Sequence, residues 1–239
     1  MSYTIKELRE MPIENLAYTI KQMCESGEKV PPSIEKRLSE YIRVCNMRDF
    51  DRTFGTPFVA GVDEAGRGPL AGCVYTAAVI LPEDAVIEGI NDSKKLSEKK
   101  REELFDVIIS TAVAYSITPI SAEEIDKINI RNATYKSMNM SVNSLSVPAQ
   151  FVLVDGDAIT GMATPHQTVI KGDAKSQSIS AASILAKVSR DRYMQELDKK
   201  YPEYGFAQNK GYGTAAHIEA IKKYGPCPEH RRSFIKNFV

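Results

Sequence analysis

The chain of 239 residues has only four cysteines, Cys24, Cys45, Cys73 and Cys227. They are scattered, and no two stand as Cys-x-x-Cys, which argues against a structural zinc site and against a disulfide framework. Free, buried thiols are expected instead. Long apolar runs are lacking too: no stretch approaches the ~20 apolar residues of a membrane-spanning helix. The opening residues, Met1 to Glu7, do not follow the charged-then-apolar order of a signal peptide, so a cytoplasmic location is expected. Neither charge is in excess, with 31 Lys+Arg against 31 Asp+Glu. The 43% of hydrophobic residues suffices for a sizeable core and excludes disorder of the whole chain. Internal repeats and low-complexity tracts are absent. The three histidines, His166, His217 and His230, are far apart and form no recognisable triad. Each is expected at the surface or as a helix cap.

The balanced total conceals an uneven distribution. Residues 1–56 carry nine basic and nine acidic side chains, 57–159 nine and fifteen, and 160–239 thirteen and seven. An acidic middle followed by a basic end suits a cation site beside a polyanion-binding surface, although solvation of the surface alone gives the same count.

Residues 1–56 read as a helical extension. One helix is expected from about Ile5 to Met23. A second follows Pro31-Pro32, where Ile34, Leu38, Ile42 and Cys45 recur at helical spacing. Gly55-Thr56-Pro57 breaks the pattern and marks a boundary, leaving 57–239 as the main domain. From Phe58 onward, short apolar runs alternate with amphipathic segments. Phe58–Val62 and Cys73–Leu81 are predicted as neighbouring strands, with another strand over Val113–Ile117. Ser97 caps a helix whose inner face is Leu104, Val107, Ile108 and Thr111. Ile130–Leu145 is a further helix. Phe151–Val154 is apolar throughout, as a buried central strand is. Ala181, Ile184, Leu185 and Val188 then share one face of a helix, and another is expected over Ala215–Tyr224. The alternation defines an α/β layer structure.

Acids recur where such strands end. Asp63-Glu64 closes the first, Asp155 closes Phe151–Val154, and Asp173 follows Val169–Gly172 just before a helix. Ligands of open α/β sheets sit at strand ends. Carboxylates gathered there repel one another unless a cation lies between them. Oxygen-only donors favour Mg²⁺ or Mn²⁺ over zinc, and paired ions of this kind serve phosphoryl transfer.

Gly66, Gly68 and Gly72 are spaced one residue too long for a dinucleotide fingerprint, and no Walker-type loop occurs. Gly66-Arg67-Gly68 instead offers a bare backbone and one guanidinium to a ligand. Ser183 and Lys187 lie at i, i+4 on one helix face; beside Ser180, they suit phosphate donation better than a Ser–Lys nucleophile pair. Gly205 to Thr214 is turn-rich, basic and aromatic, and reads either as a plain loop or as a nucleic-acid contact through Lys210 and Tyr212. Arg231-Arg232 extends that basic character.

Val62-Asp63-Glu64-Ala65-Gly66-Arg67-Gly68-Pro69-Leu70-Ala71-Gly72 resembles the opening signature of bacterial ribonuclease HII. The resemblance continues, in the family's order, through Asn91–Leu96, Lys171-Gly172-Asp173, Ile179–Lys187 and Tyr204–Tyr212. It spans roughly residues 58 to 235 and leaves 1–56 aside. It implies a ribonuclease H-like fold, a mixed central sheet flanked by helices. The implied activity is endonucleolytic cleavage of RNA in RNA–DNA hybrids and of single ribonucleotides embedded in duplex DNA. By motif match, Asp63, Glu64, Asp155 and Asp173 are the catalytic, metal-binding carboxylates of a two-metal site holding Mg²⁺ or Mn²⁺. Gly66-Arg67-Gly68 would sense the ribose 2′-hydroxyl, with Tyr212 packing at the RNA–DNA junction. Lys94, Ser183, Lys187 and Lys210 complete the expected substrate contacts. The expected partners are the hybrid and the ribonucleotide-containing duplex, met by a monomer. Asp157 competes with Asp155 as the ligand; Asp155 is preferred because it directly ends the buried run.

Two other readings compete. A silent nucleic-acid-binding module needs the basic end but not four converging acids. A metal-dependent nuclease acting on DNA alone needs no 2′-hydroxyl reader.

Overall fold

The computed structural model describes residues 3–156 and 158–237; Asp157 lies outside them. The chain opens with three helices, α1 (Ile5–Glu10), α2 (Ile13–Glu25) and α3 (Pro32–Arg52). The single helix expected over Ile5–Met23 is therefore two. Pro12 has no N–H to donate and forces Met11 into an extended backbone, ψ 137°, between them. In α3 the inner face is Ile34, Val44, Met47 and Asp51, while Ile42, expected inside, is 49% exposed.

Strands β1 (Val59–Ala65) and β2 (Val74–Ile80) follow, then α4 (Glu98–Thr111), β3 (Ala114–Ile120), α5 (Ala122–Ile128) and α6 (Ile130–Asn143). Next come β4 (Phe151–Asp155), β5 (His166–Val169) and the long α7 (Gln177–Lys200). Three shorter helices end the chain, α8 (Phe206–Asn209), α9 (Ala215–Tyr224) and α10 (Arg232–Ile235). Ser97 caps α4 by accepting the Lys100 N–H, and Ser176 caps α7 by accepting that of Ile179. On α4 the inner face is Leu104, Phe105 and Ile108; Val107, expected there, is 43% exposed. The strand expected over Val113–Ile117 begins and ends later, and it admits Pro119 because β3 is an edge strand.

Among the described residues the strands form one five-stranded sheet, ordered β3-β2-β1-β4-β5. β1 runs antiparallel to β2 and parallel to β4, so the sheet is mixed. One face packs Ala77 and Val79 against Ala181, Ile184, Leu185 and Val188 of α7 and Leu104 and Ile108 of α4. The other packs Val62, Ala78, Val152 and Val154 against Met138 and Val142 of α6. Gly61 explains how closely α7 approaches β1. A Cβ at Gly61 would lie 2.0 Å from the Ser178 carbonyl carbon, so only glycine lets the two backbones meet.

The helix α3 lies against this body. Phe54 stacks on Phe151 at 4.8 Å, and Phe50 and Phe54 cover the cluster of Val59, Leu153, Val169 and Ile179. All four cysteines are free, as expected, but only Cys73 and Cys227 are buried; Cys24 is exposed and Cys45 half-buried. Among the described residues, no helix is long and apolar enough to cross a membrane.

Candidate active site

In the parallel pair β1–β4, Val62 stands opposite Val154. The next residue of each strand is acidic, so Asp63 and Asp155 emerge side by side at one sheet end. The Asp155 Oδ1 accepts the Gly172 N–H at 2.6 Å and thereby ties β4 to the short turn Gly172–Ala174, which carries Asp173. A side chain at Gly172 would meet Ile179 at 2.6 Å and the Asp155 carboxylate at 3.1 Å. Lys171, just before it, adopts the left-handed conformation, φ 56°. Such backbone strain in a non-glycine residue is kept where the surroundings dictate the turn.

The four carboxylates share one electrostatic environment. Burial raises Asp63 well above the usual carboxylate range, and the Glu64 and Asp155 charges add to it; a Ser183 hydrogen bond opposes the shift. Glu64 is raised by burial and by Asp155, against the pull of the Arg67 guanidinium, whose Nη1 lies 3.4 Å from its Oε1. Asp173 is raised by burial, then by Asp92 and Asp155. Asp92 is a further acid that the motif reading passed over; its side chain accepts the Lys94 N–H at 2.9 Å. Among the described residues, no group of three or more Asp, Glu, His or Cys side chains is placed so that it could hold a metal ion as it stands. The donor chemistry nevertheless fits a hard divalent cation: all oxygen, partly buried, and mutually repelling.

Beside the acids lies a cleft of ≈ 350 Å³. Asp63, Glu64, Gly66, Arg67, Gly68, Lys94, Ser183, Lys187 and Tyr212 line it. Asp155 faces an adjoining cleft that shares Glu64 and Arg67. Lys210 and Asp173 line neither. Gly66 is left-handed, φ +96°, and a Cβ there would strike the Arg190 Nε at 2.0 Å. The exposed Tyr212 ring stands over this segment, its edge 3.8 Å from where a Gly68 Cβ would be.

Ser183 and Lys187 share the helix face as expected, but they do not form a couple. Ser183 Oγ lies 3.0 Å from Ser93 Oγ, and Lys187 Nζ donates to Asp191 Oδ1 at 2.6 Å. Asp191 also faces Arg101 at 3.6 Å, and Arg101 donates to the carbonyls of Ser93 and Leu96. The Lys94 loop is thus fastened to α7. Asp191 lies one turn beyond Lys187, a spacing that the sequence contained and the motif reading did not use.

Two expectations are corrected here. Arg231 does not extend the basic surface: it is 0% exposed and donates to main-chain carbonyls, because the C-terminal segment folds back beneath the cleft. His217 and His230 are not surface or cap groups either; both side chains are buried and hydrogen-bonded to each other.

The family pattern described as ribonuclease HII matches residues 60–237. A ribonuclease HII of Ruminiclostridium cellulolyticum is 48% identical over 250 aligned residues, covering 99% of this chain and 98% of its own. Among solved structures, the ribonuclease H2 of Pyrococcus horikoshii OT3 superposes with a TM-score of 0.65 at 30% identity, over 75% of this chain and 96% of its own. Bst-RNase HIII, solved in complex with Mn²⁺, shares the fold with a TM-score of 0.59 at 16% identity, over 73% and 63% of the two chains. A match over most of the chain means that this chain belongs to the ribonuclease HII family.

Proposed function

We propose that the chain cuts the RNA strand at RNA–DNA junctions, with Asp63, Glu64, Asp155 and Asp173 as its cation-holding carboxylates. The activity of the family, cleavage of RNA in RNA–DNA hybrids, is this chain's activity. The finer reading, attack at a single ribonucleotide in duplex DNA, rests chiefly on one observation. The bare Gly66–Gly68 backbone and the exposed Tyr212 ring flank the same cleft as Asp63 and Glu64.

The residues divide the work as follows. Gly66, Arg67 and Gly68 present main-chain groups to the 2′-hydroxyl, which both donates and accepts hydrogen bonds. Tyr212 stacks on the neighbouring deoxyribose, where a 2′-hydroxyl would fit poorly. Lys94, Ser183 and Lys187 donate to backbone phosphates and hold the strand in register. Lys210, outside the cleft lining, meets the duplex farther out. Mg²⁺ or Mn²⁺, when bound as a pair, would supply Lewis-acid polarisation of the scissile phosphate. Asp63, Glu64, Asp155 and Asp173 would hold the ions at the sheet end, with Asp63 buried among them.

The test is incubation with a duplex carrying one ribonucleotide, with the all-DNA duplex of the same sequence alongside. Both are run with Mg²⁺, with Mn²⁺ and with chelator. Cleavage at the ribonucleotide alone, and only with cation, is expected. Cleavage of the all-DNA duplex would favour the DNA nuclease, and binding without cleavage the silent module.

A further inference from the structure

His230 and Arg231 are buried side by side beneath the cleft, and they reach in two directions. Arg231 donates from Nη2 to the Gly66 carbonyl at 2.6 Å and from Nη1 to the Arg67 carbonyl at 2.9 Å. Its Nε and Nη2 also hold the Gly72 carbonyl at 3.0 and 2.8 Å. Among the described residues it has no carboxylate partner within ion-pair distance. A fully buried guanidinium satisfied only by carbonyls is costly to keep, and every donor it spends goes to the loop above it.

Those bonds orient the loop. In a trans peptide the C=O and N–H point in opposite directions. With the Gly66 and Arg67 carbonyls drawn inward by Arg231, the N–H groups of Arg67 and Gly68 point away from it, toward the cleft these residues line. Among the described residues, neither N–H has a partner within the chain. On the proposed reading of Gly66–Gly68, they would be the donors for a ribose hydroxyl.

The histidine beside Arg231 reaches the other wall. His230 Nδ1 accepts the Cys227 N–H at 3.0 Å, so its proton sits on Nε2. His217 Nδ1 faces the Tyr212 carbonyl at 2.8 Å and must donate to it, so His217 Nε2 is bare. The two Nε2 atoms lie 3.0 Å apart, and both constraints, set at opposite ends, give the same direction: His230 donates and His217 accepts. Burial lowers the pKa of both rings, His230 to about 4, which keeps them neutral as the chain of bonds requires.

We infer that His230 and Arg231 are positioning residues that lock the two halves of the junction reader to one anchor: the Gly66–Gly68 main chain through Arg231, and Tyr212 through His217. The inference rests on the proposed reading of Gly66–Gly68 and Tyr212. Arg190 supports it from a third side, donating to the Lys210 carbonyl at 2.9 Å with its guanidinium 5.9 Å from the Tyr212 ring centre.

The test compares His217→Phe with His217→Asn, whose amide keeps a donor near the place of Nδ1. On the one-ribonucleotide duplex, His217→Phe is expected to lose about tenfold in kcat/KM, within the range of a misplaced stacking contact. It loses less on a continuous hybrid, and His217→Asn, which keeps the bond to Tyr212 but not the one to His230, recovers only part of the loss. Combined with Tyr212→Ala, His217→Phe costs nothing further, because it acts through Tyr212. Arg231→Lys, one ammonium in place of a fork, is expected to lower Tm and, at a temperature where it is still fully folded, to lose most of the preference for binding the one-ribonucleotide duplex over all-DNA in chelator. Equal losses on both substrates that follow Tm, or additive effects with Tyr212→Ala, would overturn the inference. If His217→Phe does not fold, ¹⁵N NMR of the wild type decides: His217 protonated on Nδ1 and His230 on Nε2 are required, and the reverse tautomers refute the relay. If Tyr212→Ala itself leaves junction cleavage intact, the parent reading fails and the inference falls with it. If Tyr212→Ala fails but His217→Phe does not, only the anchor is wrong.

Discussion

Asp51, next to last in α3, accepts the Ser178 N–H at 2.9 Å through its Oδ2. A carboxylate from the N-terminal helices thus sits at the first turn of α7, the helix that carries Ser183 and Lys187. Its negative charge complements the helix N-terminus, yet burial outweighs this and pushes its pKa up to about 6, against pulls from Ser176 and Ser178.

The sign of the resulting pH dependence follows from which state binds the proton. Between about pH 4 and 6 the folded chain holds a proton on Asp51 that the unfolded chain has released, so this group favours folding at low pH. That contribution is lost as pH rises through 6. Asp51→Asn, neutral throughout and still able to accept the Ser178 N–H, is expected to raise stability at pH 8 by at most about 3 kcal/mol. The gain shrinks toward pH 4. Denaturant unfolding of both chains at pH 8 and pH 5 measures it, and a gain equal at the two values would assign it to another cause.

Asp63→Asn or Asp173→Asn should lower cleavage by about a thousandfold or more, the loss of several kcal/mol of cation-supplied stabilisation. In chelator, neither variant loses Tm, because each removes one of several crowded charges. Single-turnover cleavage and thermal unfolding of the same samples are the measurements. Near-normal turnover with cation present would remove the residue from the site.

Tyr212→Ala should cost roughly 5- to 150-fold in kcat/KM on a one-ribonucleotide duplex, from ~1–3 kcal/mol of stacking. The loss on a continuous RNA–DNA hybrid is smaller. Equal, small losses on both would mean that Tyr212 does not read the junction.

A chain beginning at Thr56 should still cleave, with weaker substrate binding and a Tm lower by several degrees. The cut uncovers Val59, Leu153 and Ile179 and frees the Ser178 N–H. A chain beginning at Pro31 keeps α3 and therefore most of that stability. If well-folded protein from Thr56 were inactive, residues 1–56 would belong to the site.

One strand end was legible because its signal is local: the apolar run Phe151–Val154 stops at Asp155 and encodes its own boundary. The other was not, since β1 runs on past Val62 through Asp63 and Glu64 to Ala65, held there by pairing with Ala77 and Thr76 of β2. Helix caps were legible because their signal is local too: Ser97 sits three residues before the N–H it accepts. Faces were read less well. Ile42 and Val107 satisfy helical spacing yet are exposed, since the angle at which a helix meets its neighbour decides which side of its apolar stripe is covered.

The sequence by itself determined the acids, the glycine-flanked Arg67, the aromatic Tyr212 and the order in which they come. Only tertiary structure decided that Arg231 and His230 turn inward. Arg231 reaches the Gly66 carbonyl across a separation of 165 residues, and His217 meets His230 across 13. A basic dipeptide near the C-terminus looks the same in sequence whether it faces solvent or a core, because its burial depends on carbonyls that another part of the chain supplies. Here the turn over Gly66–Gly72 leaves those carbonyls facing inward, and the buried guanidinium is retained because it satisfies them.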